Sequence, residues 1–274
     1  MKNENVNRVT KALNLNYPVI GAKFIYYKQE YDAFNVPALE KKLSVCGMSK
    51  QAFDGNIFKA TSDKVSCIYG GYAIGAYQPS RDVLAARGMN ACGLYNSTAT
   101  SKEVLDGMKY LNQDLYGLLM GPLDQLPDAD VVIMLGTAYQ VMRVMQGYSY
   151  NFGNPKNLCS IGNQAMCSDL IAKPYTNNDL NVSFMCKGAR LFTQCTDGEL
   201  AIGLPIHMFD LLVDGIIMTL NPVLDKKQKE ELLQRLDTPD ELGVEIDASW
   251  TYSTRLKDYN KWLENIAIEN EKDM

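Results

Sequence analysis

The stretch from Asp130 to Tyr150, DVVIMLGTAYQVMRVMQGYSY, changes its periodicity halfway along. Its first part, VVIML at 131–135, is an apolar run of strand length. Thr137 can then cap a helix in which Ala138, Val141, Met142, Met145 and Tyr148 fall on one stripe. A strand that passes straight into an amphipathic helix buries both only if sheet and helix pack on each other.

The same alternation runs along the chain. Residues 1–15 read as a short amphipathic helix, and YPVIGAKFIYY (17–27) as a strand entered through Pro18. Pro37 opens an expected helix through ALEKKLSV that ends at Gly47. Thr100 and Glu103 have capping-box spacing for a helix over 100–111, with Val104, Met108 and Leu111 on one face. GLLMGPL and ELAIGLP have strand length, Asp197-Gly198 marks a turn, and HMFDLLVDGIIMTL (207–220) reads as a helix. The expected fold is α/β or α+β: a mixed sheet covered by helices, with glycine- and cysteine-rich loops gathered at one end. Residues 1–220 form the expected core domain. The more charged 221–274 reads as a helical extension that docks through Tyr252, Leu256, Tyr259, Trp262 and Leu263.

Charge and hydropathy exclude several classes. The net charge is −5 with no dense Lys/Arg run, so a nucleic-acid partner is not expected. The start MKNENVNRVT lacks the apolar segment of a secretory signal, and no apolar run approaches a membrane span. The expected setting is therefore cytoplasmic, where seven cysteines argue for reduced thiols, metal ligation or catalysis rather than disulfides.

The cysteines stand at 46, 67, 92, 159, 167, 186 and 195, and all but Cys167 have a glycine within three residues downstream. With glycine at roughly 7% of residues, chance gives about one or two such cases. Glycine lets the backbone approach closely and can aim peptide N–H groups at sulfur, stabilising a thiolate or tuning a cluster. The alternative is that two small residues share tight packing sites. Cys46 and Cys92, each beside a helix end, read as structural. The segment CSIGNQAMCSD (159–169) is too polar for a core and reads as a loop bearing two thiols. There is no C-x-x-C, which removes the common ferredoxin, zinc-ribbon and thioredoxin signatures. The single histidine, His207, excludes His-rich metal sites and reads as a helix-start residue.

SCIYGGYAIGA (66–76), CSIGNQAMCSDLIAKPY (159–175) and CKGARLFTQCTDGELAIGLP (186–205) carry a resemblance. So do YPVIGAKF and VVIMLGTAYQVMRVMQGYSY, and together they resemble the domain of unknown function 169 family, over roughly residues 15–220. That family occurs largely in anaerobic bacteria and archaea and has no established activity. The thiols that match its pattern are Cys67, Cys159, Cys167 and Cys186.

Two expectations follow. One is a redox or lyase-type enzyme of anaerobic metabolism, with an iron–sulfur cluster on Cys67, Cys159, Cys167 and Cys186, acting on a small anionic molecule. The other is a non-catalytic protein that binds a small anion or a tetrapyrrole-like cofactor. A thiol enzyme with one nucleophilic cysteine is a lesser third, its base replaced by a Lys, a Tyr or a helix N-terminus. Lys187, Gly188 and Arg190 of CKGAR, with Gly70 and Gly71, are the candidate substrate-binding residues. Arg190 either grips an anion or pairs with Asp169, Asp197 or Glu199 to staple loops. An electron-transfer partner and a homo-oligomer complete the expectations.

Overall fold

In a computed structural model, the described residues are 2–78, 87–111, 114–220 and 227. The expected docking helix at 252–268 and nearly all of the expected 221–274 extension lie outside them. In chain order the elements are α1 (Lys2–Leu13), β1 (Ile20–Ile25), α2 (Lys28–Ala33), α3 (Val45–Phe53), β2 (Phe58–Thr61) and α4 (Ile68–Ala73). There follow α5 (Arg87–Ala91), α6 (Thr98–Asp106), β3 (Gly117–Pro122), β4 (Val131–Thr137) and α7 (Ala138–Phe152). A π-helix (Ala165–Ala172) then leads into α8 (Lys173–Asn177), β5 (Asn181–Ser183), α9 (Lys187–Thr193), β6 (Glu199–Pro205) and α10 (Phe209–Met218).

The strands form one six-stranded sheet in the order β2-β3-β1-β4-β6-β5. Neighbouring strands pair antiparallel, with Phe24 opposite Leu118 and Ile133 opposite Gly203. Parallel pairing appears in two isolated bridges, Ala38 with Lys59 and Leu43 with Val65. Helices cover both faces. Ile20, Ala22 and Phe24 of β1 and Val131, Ile133 and Leu135 of β4 meet α3 and the π-helix through Met48, Leu170 and Ile171. The intervening residues Ile25, Val132 and Met134 pack against Val9 of α1, Val144 of α7 and Phe209 and Leu212 of α10. Because alternate side chains enter two cores, β4 is apolar without a break from Val131 to Gly136.

Local signals explain most element boundaries. Thr137 and Gln140 make the reciprocal capping box at the start of α7, as expected for Thr137. The stripe is rotated from the expected one: Val141, Val144 and Tyr148 are buried and Met142 is exposed. The helix expected over 37–47 does not form. Residues 37–43 instead run beside β2, where the Lys59 N–H donates to the Pro37 carbonyl at 2.8 Å and Leu39 returns a bond to Lys59 at 2.7 Å. The helix starts later because Ser44 caps it, its hydroxyl accepting from the Gly47 N–H at 3.1 Å. At α6 the cap is Ser97 rather than Thr100, and the helix stops at Asp106. Ser97 lies one turn upstream and accepts the free N–H first.

Gly203 in β6 lets the π-helix lie directly on the sheet, since a Cβ there would collide with the Leu170 carbonyl. Gly203→Val is expected to destabilise the fold by about 1–3 kcal/mol, because neither backbone can yield without losing hydrogen bonds. Urea unfolding checks this, and an unchanged midpoint would mean that the contact relaxes freely.

Candidate functional site

Cys67 and Cys186 occupy equivalent local positions, each itself extended and capping a short helix. The Cys67 Sγ accepts from the Gly70 N–H at 3.3 Å, and the Cys186 Sγ from the Ala189 N–H at 3.3 Å. Cysteine takes the role usually filled by Ser or Asp, so its sulfur points back toward free backbone donors. The Gly188 and Ala165 N–H groups, the latter at the head of the π-helix, also favour the Cys186 thiolate. Cys46 stands in the first turn of α3, which packs against α9, and its thiol donates to Cys186. Cys167 is buried inside the π-helix.

These four sulfurs share one electrostatic neighbourhood. Cys46 feels Cys167, Cys186 and Cys67, and Cys167 feels Cys67 and Cys186. The hydrogen bond from Cys46, supported by N–H groups from Ala165, Ala189 and Gly188, brings the Cys186 thiol down to about 5 against the opposing effect of burial. Cys46 is pushed far up, by the same hydrogen bond and then by burial. Burial likewise raises Cys167. The arrangement thus favours charge on Cys186 over charge on Cys46 or Cys167, which limits like-charge repulsion. Cys67 is exposed, and Tyr77 braces its backbone: the ring lies against Gly71 and the hydroxyl donates to the Cys67 carbonyl at 2.6 Å. Burial, with the nearby Cys67 and Cys167, holds Tyr77 up at about 12.

Three of the four cysteines expected as ligands, Cys67, Cys167 and Cys186, thus lie together. Cys159 is exposed, and its role is carried by its backbone. Its N–H donates to Asn181 Oδ1 at 2.8 Å, and its carbonyl accepts from Lys173 at 2.7 Å and Asn181 at 3.1 Å. Cys46, read from sequence as structural, joins the group. The overlooked signal was the Ser44 cap, which places Cys46 in a first turn rather than at a helix end.

The loop reading of CSIGNQAMCSD holds for its first half alone. From Ala165 the chain enters the π-helix, where Cys167, Ser168 and Asp169 are buried. Their polarity is explained by an interior network that the sequence reading missed. Asp169 pairs with Lys173 at 2.6 Å, both essentially buried, and accepts from Ser160 at 3.1 Å and Ser183 at 2.9 Å. Burial raises the Asp169 carboxyl, opposed by Lys173 and by the serine hydroxyls. The visible trace of this pair is an Asp and a Lys four apart in an otherwise apolar run, DLIAK.

The anion-binding candidates are largely spent on folding. Arg190 donates to the carbonyls of Thr196 at 2.7 Å, Phe184 at 2.8 Å and Glu199 at 3.2 Å, so it staples two loops through carbonyls rather than carboxylates. The Gly70 and Gly188 N–H groups go to sulfur, and Gly71 donates to the Cys67 carbonyl at 2.7 Å. Lys187 is exposed. Arg190→Gln is accordingly expected to cost about 1–3 kcal/mol of stability, as charged hydrogen bonds are lost. Thermal unfolding checks this: an unchanged melting temperature would return Arg190 to the anion-binding candidates.

Among the described residues, no group of three or more His, Cys, Asp or Glu side chains is arranged to hold a metal ion. A single ion at about 2.3 Å from each sulfur needs sulfurs no more than about 4.6 Å apart. Cluster ligands sit on different irons and stand further apart. Soft thiols without histidine suit that chemistry, with the hydrogen-bonded Cys46 and Cys186 having to separate to reach different irons. Among the described residues, no helix is long and apolar enough to cross a membrane.

The model of the domain of unknown function 169 family, described as uncharacterised ArCR, matches residues 8–215. An uncharacterized protein of Methanocaldococcus jannaschii is 23% identical over 218 residues, covering 78% of this chain and 92% of its own length. No solved structure matches the chain.

Proposed function

From a chain that belongs to the domain of unknown function 169 family, we propose a redox or lyase-type enzyme of anaerobic metabolism, centred on a cysteine-held iron–sulfur cluster and acting on a small anionic molecule. Cys67, Cys167 and Cys186 would hold the cluster, with Cys46 in the place that the sequence assigned to Cys159. One observation carries the reading: four separate helical segments bring their thiols into one neighbourhood and aim backbone N–H groups at two of the sulfurs. Such donors stabilise thiolate and set a cluster's potential. When bound, the cluster supplies electron transfer or a Lewis-acidic iron, and an electron-transfer partner follows from the first of these. The chain's own residues hold the cysteines in place: Tyr77 bonds the Cys67 carbonyl, and the Asp169–Lys173 pair fixes the π-helix that carries Cys167. Anaerobic purification with iron and sulfide analysis tests the reading. Bound iron and sulfide are expected in proportion to protein, and their absence after reconstitution would reject it.

The Cys46–Cys186 hydrogen bond favours a second reading in the same place, a thiol enzyme. Cys186 is then the nucleophile and Cys46 the group that holds it ionised, with no separate histidine base. Full retention of a Cys-dependent activity in iron-free protein would favour it.

A further inference from the structure

Gln164 has no role in the account so far, and its position is costly. Its backbone adopts the left-handed conformation (φ 54°, ψ 47°) immediately before the π-helix. A non-glycine residue is held there only when its surroundings demand it. Its carbonyl accepts from both Ser168 and Asp169 at 3.1 Å, which locks the first turn of the π-helix. The next residue, Ala165, has an N–H that favours the Cys186 thiolate. Gln164 thus immediately precedes a residue that borders the thiol centre.

Both ends of its side-chain amide, Nε2 and Oε1, are shut off from solvent and have no hydrogen-bond partner. Buried polar groups are nearly always paired, so an amide unpaired at both ends calls for an explanation. A methionine of similar length would fill the space without the desolvation penalty.

We propose that the Gln164 amide is the reading head of a ligand site beside the thiol centre, and that it takes a planar group presenting a hydrogen-bond donor and an acceptor side by side: a carboxamide, a lactam or a nucleobase edge. This deepens the proposed function and rests on its thiol centre. A plain carboxylate, all acceptor, satisfies the Nε2 hydrogens and leaves Oε1 unmet. An amide-type edge satisfies both at once, in the bidentate manner by which Gln side chains read adenine. The small anion of the proposed function would thus carry such an edge in addition to its charge.

Isothermal titration of the full chain with δ-valerolactam, adenine and acetate, iron being measured in the same samples, tests this. At least one of the first two probes is expected to bind, with affinity falling at least tenfold in Gln164→Met and Gln164→Asn. Weak acetate binding, if present, is expected to be unchanged. Asparagine tolerates the left-handed backbone, so that variant keeps the fold while withdrawing the amide from the site. Gln164→Met is further expected to raise the melting temperature of probe-free protein, since it removes an unpaired buried amide. Failure of both lactam and adenine to bind, or binding unchanged in both variants, overturns the proposal. A lower melting temperature in Gln164→Met would do so too, by marking a structural amide. Iron without probe binding sinks this inference alone, and probe binding without iron sinks the cluster alone.

Discussion

Lys173→Met is expected to cost about 3–5 kcal/mol of stability, the usual penalty for stranding one partner of a buried ion pair. The loss falls on Asp169, which would keep Ser160 and Ser183 but lose the cation at 2.6 Å. The effect depends on pH. Burial already raises Asp169, and without Lys173 its folded pKa rises further above the unfolded value near 3.9. A carboxyl raised on folding favours the folded state below its unfolded pKa and loses that contribution as pH climbs through the folded pKa. The variant should therefore be least destabilised near pH 5 and most destabilised near pH 8. Denaturant unfolding at both values checks this, and equal small losses would show that water reaches the pair. Adding Asp169→Leu should recover part of the loss, because two well-packed apolar side chains often replace a buried pair at little cost.

In iron-free protein, alkylation of Cys186 is expected to be nearly independent of pH between 6 and 8. With its thiol brought down to about 5, Cys186 is already almost wholly ionised across that range. An ordinary cysteine, with a pKa near 8.5, should instead react about tenfold faster per pH unit over much of it. The first cause of the depression is the hydrogen bond from Cys46, so Cys46→Ala should raise the Cys186 pKa. Each unit of rise corresponds to about 1.4 kcal/mol of lost thiolate stabilisation. Iodoacetamide labelling followed by peptide mass spectrometry reads the two proteins side by side. A Cys186 profile that climbs steeply in the wild type, or is unmoved by Cys46→Ala, contradicts the thiol–thiolate pair.

What could be read from sequence was what depends on neighbours along the chain. VVIML followed by Thr137 announces a strand, a cap and a helix, because strand length, cap and stripe are local properties. Caps were misassigned where two candidates compete, as with Ser44 against Pro37 and Ser97 against Thr100. Position alone does not say which residue is extended and able to accept first. The glycine–cysteine coincidence has a local counterpart at Cys67, whose sulfur accepts from the Gly70 N–H. Cys159 matches the family pattern, yet what it supplies in the fold is a backbone anchor for Lys173 and Asn181. Cys46 was passed over because its partner is 140 residues away, and no local spacing encodes that contact. A π-helix is likewise invisible to a search for 3.6-residue stripes.

The most direct measurement of the central claim compares iron and sulfide per chain in wild type, Cys46→Ser and Cys159→Ser, each purified anaerobically and reconstituted in parallel. The thiol group assembled by α3, α4, the π-helix and α9 predicts wild-type iron in Cys159→Ser and a marked loss in Cys46→Ser. Loss in Cys159→Ser with retention in Cys46→Ser would contradict it, and would return the fourth ligand to the exposed loop.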